Sequence, residues 1–299
     1  MVLAALASGL ANRIKGLVTA RRVAREMGLP LKVYWERNEA VTSDLSSLFP
    51  GQFECVSPEE YRELAVDPSV LSVRTWRLWP ARSDRFPEGY RPTYPSPHRN
   101  GIDFAYGAVP PAVREAFLEV FRDLGPHGEV AAAVEGIVGD CTNLDTGMAV
   151  RTWVDAPERQ KLFDRRAVEA AIDAAEGPIF VTSDSRKLVD DLARRWPDRV
   201  VTSTAHVAGL VGDQRVLCDM LAVARCSRMW ISLGSTFSEV AWWLGGARAE
   251  VRMLEPRGYA LQVLDLGEVA AYGLAGRWWF KNKSRFDARV AGAWKRLTR

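Results

Sequence analysis

The chain reads as α/β: two Rossmann-like, doubly wound domains facing across a cleft. Three observations predict this. Its 299 residues suffice for two domains of about 150 residues each. Residues 2–35 spell strand, loop, helix, strand, and residues 148–254 alternate strands and helices in a regular rhythm.

The apolar run Val2 to Ala7 predicts a buried strand, followed by the polar turn Ser8-Gly9-Leu10-Ala11-Asn12. A helix is expected from Arg13 to Met27. Ile14, Leu17, Val18, Val23, Ala24 and Met27 form its apolar side, and Arg21, Arg22, Arg25 and Glu26 gather on another. Gly28 and Pro30 stop it, and Leu31 to Trp35 is a second strand. Such a unit is parallel with a right-handed crossover, and its ligands bind beyond the carboxyl ends of the strands, where residues 8–12 belong.

Residues 80–111 hold seven of the 16 prolines, interleaved with Tyr90, Tyr94, Tyr106 and other aromatic residues. No helix survives that density. The segment is either a cover or the wall of a binding cleft. A helix with proline at its first position then runs from Pro111 to Leu124. Strands are predicted at Met148 to Val154, Pro178 to Thr182, Arg199 to Thr202, Met229 to Leu233 and Glu250 to Leu254. Helices fall at Arg165 to Glu176, Ser185 to Trp196, Val216 to Arg225 and Thr236 to Leu244. The polar stretch Cys141 to Gly147 suggests a boundary, dividing the chain into 1–145, 146–276 and a basic tail or helix at 277–299.

That tail carries eight Lys and Arg against one Asp, although the whole chain is only +3. A balance this small does not argue for nucleic acid, which is not an expected partner of the chain as a whole, and the tail is either a solvated helix face or a contact for a phosphate-bearing ligand, lipid surface or nucleic acid. The scattered Cys55, Cys141, Cys218 and Cys226, with His98, His127 and His206, make no zinc spacing and no disulfide framework. No metal and no cofactor are expected. No membrane span is expected either, since no apolar run reaches the ~18 residues one requires, and the protein is expected in the cytoplasm.

The glycine pattern of dinucleotide folds, the P-loop and the hydrolase nucleophile elbow are all missing. What remains is a set of polar turns after predicted strands: Arg151 in VRTWVDAPE, Thr182-Ser183-Asp184-Ser185, and Gly234-Ser235-Thr236-Phe237-Ser238. The last opens a helix, whose free N–H groups attract phosphate, and an arginine on a neighbouring strand could clamp the same group. Together they describe a diphosphate site. Ser235, Thr236 and Asp184 could equally be helix caps, Arg151 a surface charge, and Asp219 either a cap or a buried acceptor.

The order of three separated pieces resembles the GT-B-fold fucosyltransferase superfamily, which includes the bacterial nodulation fucosyltransferase, the α1,6-fucosyltransferases and the protein O-fucosyltransferases. The pieces are SGLANRIKGLVTARRVAREMGLPLKVYW, MAVRTWVDAPE, and the pair IFVTSDSRKLVDDLARRWPD and CDMLAVARCSRMWISLGSTFSEVAWWLGG. The resemblance implies a GT-B-like, inverting, metal-independent transferase. Its second domain would hold a nucleotide-sugar donor, GDP-fucose in known members, and its first domain a small-molecule or oligosaccharide acceptor. Arg151 matches the phosphate-binding arginine, Asp219 the acid that recognises guanine, and Ser235, Thr236 and Ser238 the hydroxyl-rich phosphate loop. Asn12 and Gly9 match the loop facing the reacting sugar, and Glu158, or failing it Asp155, sits where some relatives place a general base. Ala149 stands where relatives usually have histidine and Thr152 where several have a second arginine, which keeps UDP- and dTDP-sugars open as donors. A non-catalytic nucleotide-sugar-binding protein, or an enzyme acting on another phosphorylated ligand, is the alternative.

Overall fold

In the computed structural model the described residues are 1–254, apart from 76, 80–93, 96–99, 103, 105, 107–108, 142, 157–159, 161 and 233, with only the backbone of 94–95 and 100–101. The first half runs β1 (Val2–Leu6), α1 (Leu10–Met27), β2 (Leu31–Trp35), α2 (Leu45–Leu48), β3 (Glu54–Cys55), α3 (Pro58–Leu64), β4 (Leu71–Val73), β5 (Tyr94–Pro95), β6 (Asn100–Gly101), α4 (Pro111–Arg122) and α5 (Gly128–Gly139). The second half runs β7 (Thr146–Val150), α6 (Arg165–Ala174), β8 (Ile179–Ser183), α7 (Arg186–Arg195), β9 (Val200–Val201), α8 (Asp213–Ala224), β10 (Arg228–Ile231), α9 (Thr236–Leu244) and β11 (Glu250–Met253).

Two parallel sheets result, ordered β3-β2-β1-β4 and β11-β10-β7-β8-β9, beside a small antiparallel β5-β6 pair. The second order reverses direction between β7 and β10, the point at which open α/β sheets take ligands. Alternation along its strands explains why helices cover both faces. Ile179 and Val181 of β8 pack with Met148, Val168, Ile172, Leu188 and Leu192, whereas Phe180 faces the opposite core with Met229 and Ile231.

That opposite core is continuous with the first sheet, because α9 lies against α1 and α4 while α8 lies against α5. Trp243 of α9 stacks on Phe121 of α4 with ring centroids 5.6 Å apart. Close approach is built in where Gly245 faces α8: a Cβ there would stand 2.5 Å from the Ala224 carbonyl oxygen. Gly16 serves α1 similarly, since a Cβ would fall 2.3 Å from the Thr75 carbonyl oxygen.

Several expectations need correction. The first helix begins at Leu10 rather than Arg13, so Asn12 belongs to its first turn and not to the preceding loop. Its charged and apolar sides are mixed: Arg22 is buried with its guanidinium 4.2 Å over the Phe117 ring, and Met27 is exposed. A helix enclosed by a sheet and two other helices has no single solvent stripe. Helix α5 was not predicted, and Tyr106 is no open wall, since it is buried edge-on against Trp242 at 5.3 Å. Tyr90 and the 277–299 tail lie outside the described residues, as does the side chain of Tyr94.

Candidate functional site

Arg151 directly follows β7, and its backbone N–H donates to Ser232 Oγ, 2.8 Å away, just after β10. This bond joins the two loops that flank the reversal point. The neutral, buried Ser232 carried no sequence signal as a site residue, because only the position of β10 beside β7 gives it a partner. Beyond it, Ser235 caps α9 by accepting from Ser238 N–H at 3.3 Å, so its capping role is real, and Thr236 opens the helix. Ser238 Oγ is buried and has no hydrogen-bond partner among the described residues.

The Arg151 guanidinium faces two carboxylates. Its Nη2 donates to Asp155 at 2.8 and 3.0 Å, and its Nε stands 3.2 Å from Asp184 Oδ2. The Asp155 side chain is 62 % exposed, whereas that of Asp184 is 11 % exposed. Asp184 is not a cap: Ser185 caps α7 by accepting from Leu188 N–H. Glu158 lies outside the described residues.

Asp219 is not a cap either, because it sits within α8 rather than at its start. Its Oδ2 accepts from Thr182 Oγ1 at 2.7 Å, and its Oδ1 is buried without a hydrogen-bond partner among the described residues. Burial pushes the carboxyl pKa above its ordinary value, while the Ser203 and Thr182 hydroxyls and the charge of Arg186 pull it back. Thr182 and Asp219 thus form an acceptor pair at the end of β8.

On the first half, Gly9 precedes α1 in an ordinary extended conformation, and a Cβ there would meet nothing within 4 Å. Among the described residues nothing crowds this place or demands glycine there. Asn12 Oδ1 is another buried atom without a hydrogen-bond partner among the described residues. Native structures leave few such atoms, and three of these lie on residues singled out from the sequence: Asn12, Asp219 and Ser238.

The first turns of α1 and α9 are held alongside one another by Lys15 and Glu239, 2.5 Å apart and 0 % and 1 % exposed. Glu239 also accepts from the Phe104 backbone N–H at 2.6 Å, and Lys15 Nζ lies 5.0 Å from the Phe104 ring centre. Burying two charges costs several kcal/mol per ion, offset by their attraction and the added hydrogen bond. Neither residue was legible as a partner of the other, being 224 positions apart.

Cys218 and Cys226 are buried thiols whose pKa values burial pushes up to about 12, which leaves them unreactive. Among the described residues no group of three or more His, Cys, Asp or Glu side chains is arranged to hold a metal, and no helix is long and apolar enough to cross a membrane.

No protein-family model and no curated protein matches this chain. Among solved structures it is similar to NodZ alpha-1,6-fucosyltransferase soaked with GDP-fucose, with a TM-score of 0.50 and 14 % identity over 81 % of this chain and 91 % of that one. It is also similar to a mutant of Arabidopsis thaliana FUT1 in complex with GDP, with a TM-score of 0.52 and 15 % identity over 86 % of this chain and 70 % of that one. By this likeness the chain has the fold of the GT-B fucosyltransferases.

Proposed function

We propose that this protein is an inverting glycosyltransferase that moves fucose from GDP-fucose to an acceptor hydroxyl. The observation that carries it is the convergence of Arg151 and the α9 N-terminus on the β7/β10 reversal point, joined by the Arg151 to Ser232 bond. An arginine and a helix N-terminus side by side suit a diphosphate. Residues 146–276 are assigned to the donor and 1–145 to a small-molecule or oligosaccharide acceptor.

In the proposed step the acceptor oxygen attacks the anomeric carbon as the bond from that carbon to the diphosphate oxygen breaks. The bonding electron pair moves onto the diphosphate, where Arg151 and the Ser235, Thr236 and Ser238 turn neutralise the growing charge without a metal. The acceptor proton passes to Glu158 or Asp155. Asp219 receives N–H groups of the guanine, and Gly9 and Asn12 face the transferred sugar. The exposed free thiol of Cys55 suits a reducing, cytoplasmic setting.

Calorimetry against GDP, UDP and dTDP, with and without EDTA, tests this reading. The expected result is selective, EDTA-insensitive GDP binding that disappears in Asp219→Ala, followed by turnover of GDP-fucose. Selective UDP or dTDP binding would change the sugar, binding without transfer or hydrolysis would make the protein a nucleotide-sugar binder, and no binding would overturn the proposal.

A further inference from the structure

We propose that Asp184 is a positioning residue that holds Arg151 and the turn behind it, rather than a ligand of the donor; this rests on the transferase reading above. The Asp184 carboxylate is already full. Its Oδ1 accepts from Thr152 N–H at 2.8 Å, Thr152 Oγ1 at 2.9 Å and Ser183 Oγ at 3.1 Å. Its Oδ2 accepts from Trp153 N–H at 3.3 Å and pairs with Arg151 Nε at 3.2 Å. A carboxylate offers about four lone-pair sites, so none is left for a donor, and its charge would repel a diphosphate.

The turn it holds is strained. Trp153 has φ 57°, in the left-handed region that bulky side chains rarely adopt. Its ring is buried, and the Arg151 guanidinium lies 5.2 Å from the ring centre. The Ala156 N–H donates to the Trp153 carbonyl at 2.9 Å, closing a turn that brings Asp155 back to Arg151. Two consecutive amides bonded to one carboxylate keep the backbone in this shape.

The division of the guanidinium follows. Asp184 takes the Nε edge from the protein side, exposed Asp155 takes Nη2, and Nη1 donates no hydrogen bond among the described residues. A diphosphate can therefore displace Asp155 and occupy the Nη edge in bidentate fashion while Asp184 keeps its grip. Thr152, where several relatives of the resembled family have a second arginine, is the residue that fastens Asp184 through both its N–H and its hydroxyl.

The test is a double-mutant cycle of Arg151→Ala and Asp184→Asn, read by GDP calorimetry and by kcat and KM for GDP-fucose. Asp184→Asn alone should weaken GDP about tenfold and lower kcat by up to about a hundredfold, the scale of a misplaced catalytic group. In the Arg151→Ala background it should change neither by more than about twofold, because its effect passes through Arg151. Equal losses in both backgrounds would overturn the proposal. Thr152→Val, a milder change that keeps the carboxylate, should show a smaller loss with the same dependence on Arg151.

Amide hydrogen exchange supplies an arm independent of any nucleotide. Asp184→Asn should speed exchange at Thr152 and Trp153 while leaving Met148 and Val150 unchanged, and unchanged exchange at all four would overturn the positioning role. If the wild-type protein binds no nucleotide but the two amides respond, the transferase reading falls and the positioning role stands.

Discussion

Arg13 and Arg151 stand at the carboxyl ends of the two sheets and carry the same charge in opposite settings. Arg13 is wholly buried, with its guanidinium 4.9 Å from the Trp35 ring centre, and bonds the Ser8 and Glu36 carbonyls and, at 3.0 Å, Asn38 Oδ1. Burial lowers its pKa from the ordinary value, while the charges of Glu36 and Asp213 raise it. It is a strut between the loops after β1 and β2. Arg151 is 34 % exposed and faces carboxylates, one of them in solvent. The difference teaches that a charge at a strand end is not by itself a site. An arginine buried with each guanidinium nitrogen bonded to a fixed oxygen offers no open edge to an anion, whereas one balanced by a displaceable carboxylate can exchange it for phosphate.

The largest effect is expected where another buried charge of α1 loses its partner. Glu239→Ala removes the carboxylate to which Lys15 Nζ and the Phe104 N–H donate and should cost about 3–5 kcal/mol in urea-induced unfolding. An unchanged midpoint would mean that apolar packing alone holds α1 to α9, which would weaken the view of the first edge as a set of struts.

The two arginines themselves come next. Arg13→Ala should lose about 3 kcal/mol of stability, the sum expected for several charge-assisted hydrogen bonds and their packing. Arg151→Ala should shift stability by less than about 1 kcal/mol, since its pairs are partly solvated. In activity it should lose about a hundredfold in turnover, the scale of one lost charged donor at a transition state. The reverse pattern, with Arg151→Ala unfolding the chain or Arg13→Ala leaving it intact, would break the comparison.

The smallest effect sharpens it with a carboxylate. The pKa of Asp219 is raised above its ordinary value of 3.8 by burial. Its contribution to stability is therefore full below 3.8 and is lost as pH rises through the raised folded value. Asp219→Asn does not titrate, so its stability relative to wild type should grow across that window by at most about 1.4 kcal/mol per pH unit. Urea midpoints measured against pH without nucleotide would show it, and a flat difference would contradict the burial effect.

Short-range signals carried much of the fold. β2 and α9 fall where the sequence places them, because Leu31 to Trp35 is an apolar run behind Gly28 and Pro30, and Ser235 is a cap before an apolar helix. The loops after β8 and β10 were legible for the same reason, and with them Asp184 and the Ser235 turn, whereas the strand expected at Met148 to Val154 is Thr146–Val150, which puts Arg151 just after β7 rather than within it. Helix α5 was not legible. Its Gly128, Gly136 and Gly139 are poor helix formers, yet Gly136 is where His206 packs, and a Cβ there would stand 2.7 Å from Nδ1.

The sequence by itself therefore determined the alternation of strands and helices, the parallel sheets, and the polar residues that follow each strand, since periodicity and capping act over a few neighbouring positions. Only the tertiary structure decided which of those polar residues are spent. Asp184 looks like a cap until Thr152 and Trp153, arriving from another strand, fill its carboxylate. Lys15 and Glu239 look like helix surface until the packing of α1 on α9 buries both. A charge removed from water must find its partner wherever the fold brings one, and that partner need not be near in the chain.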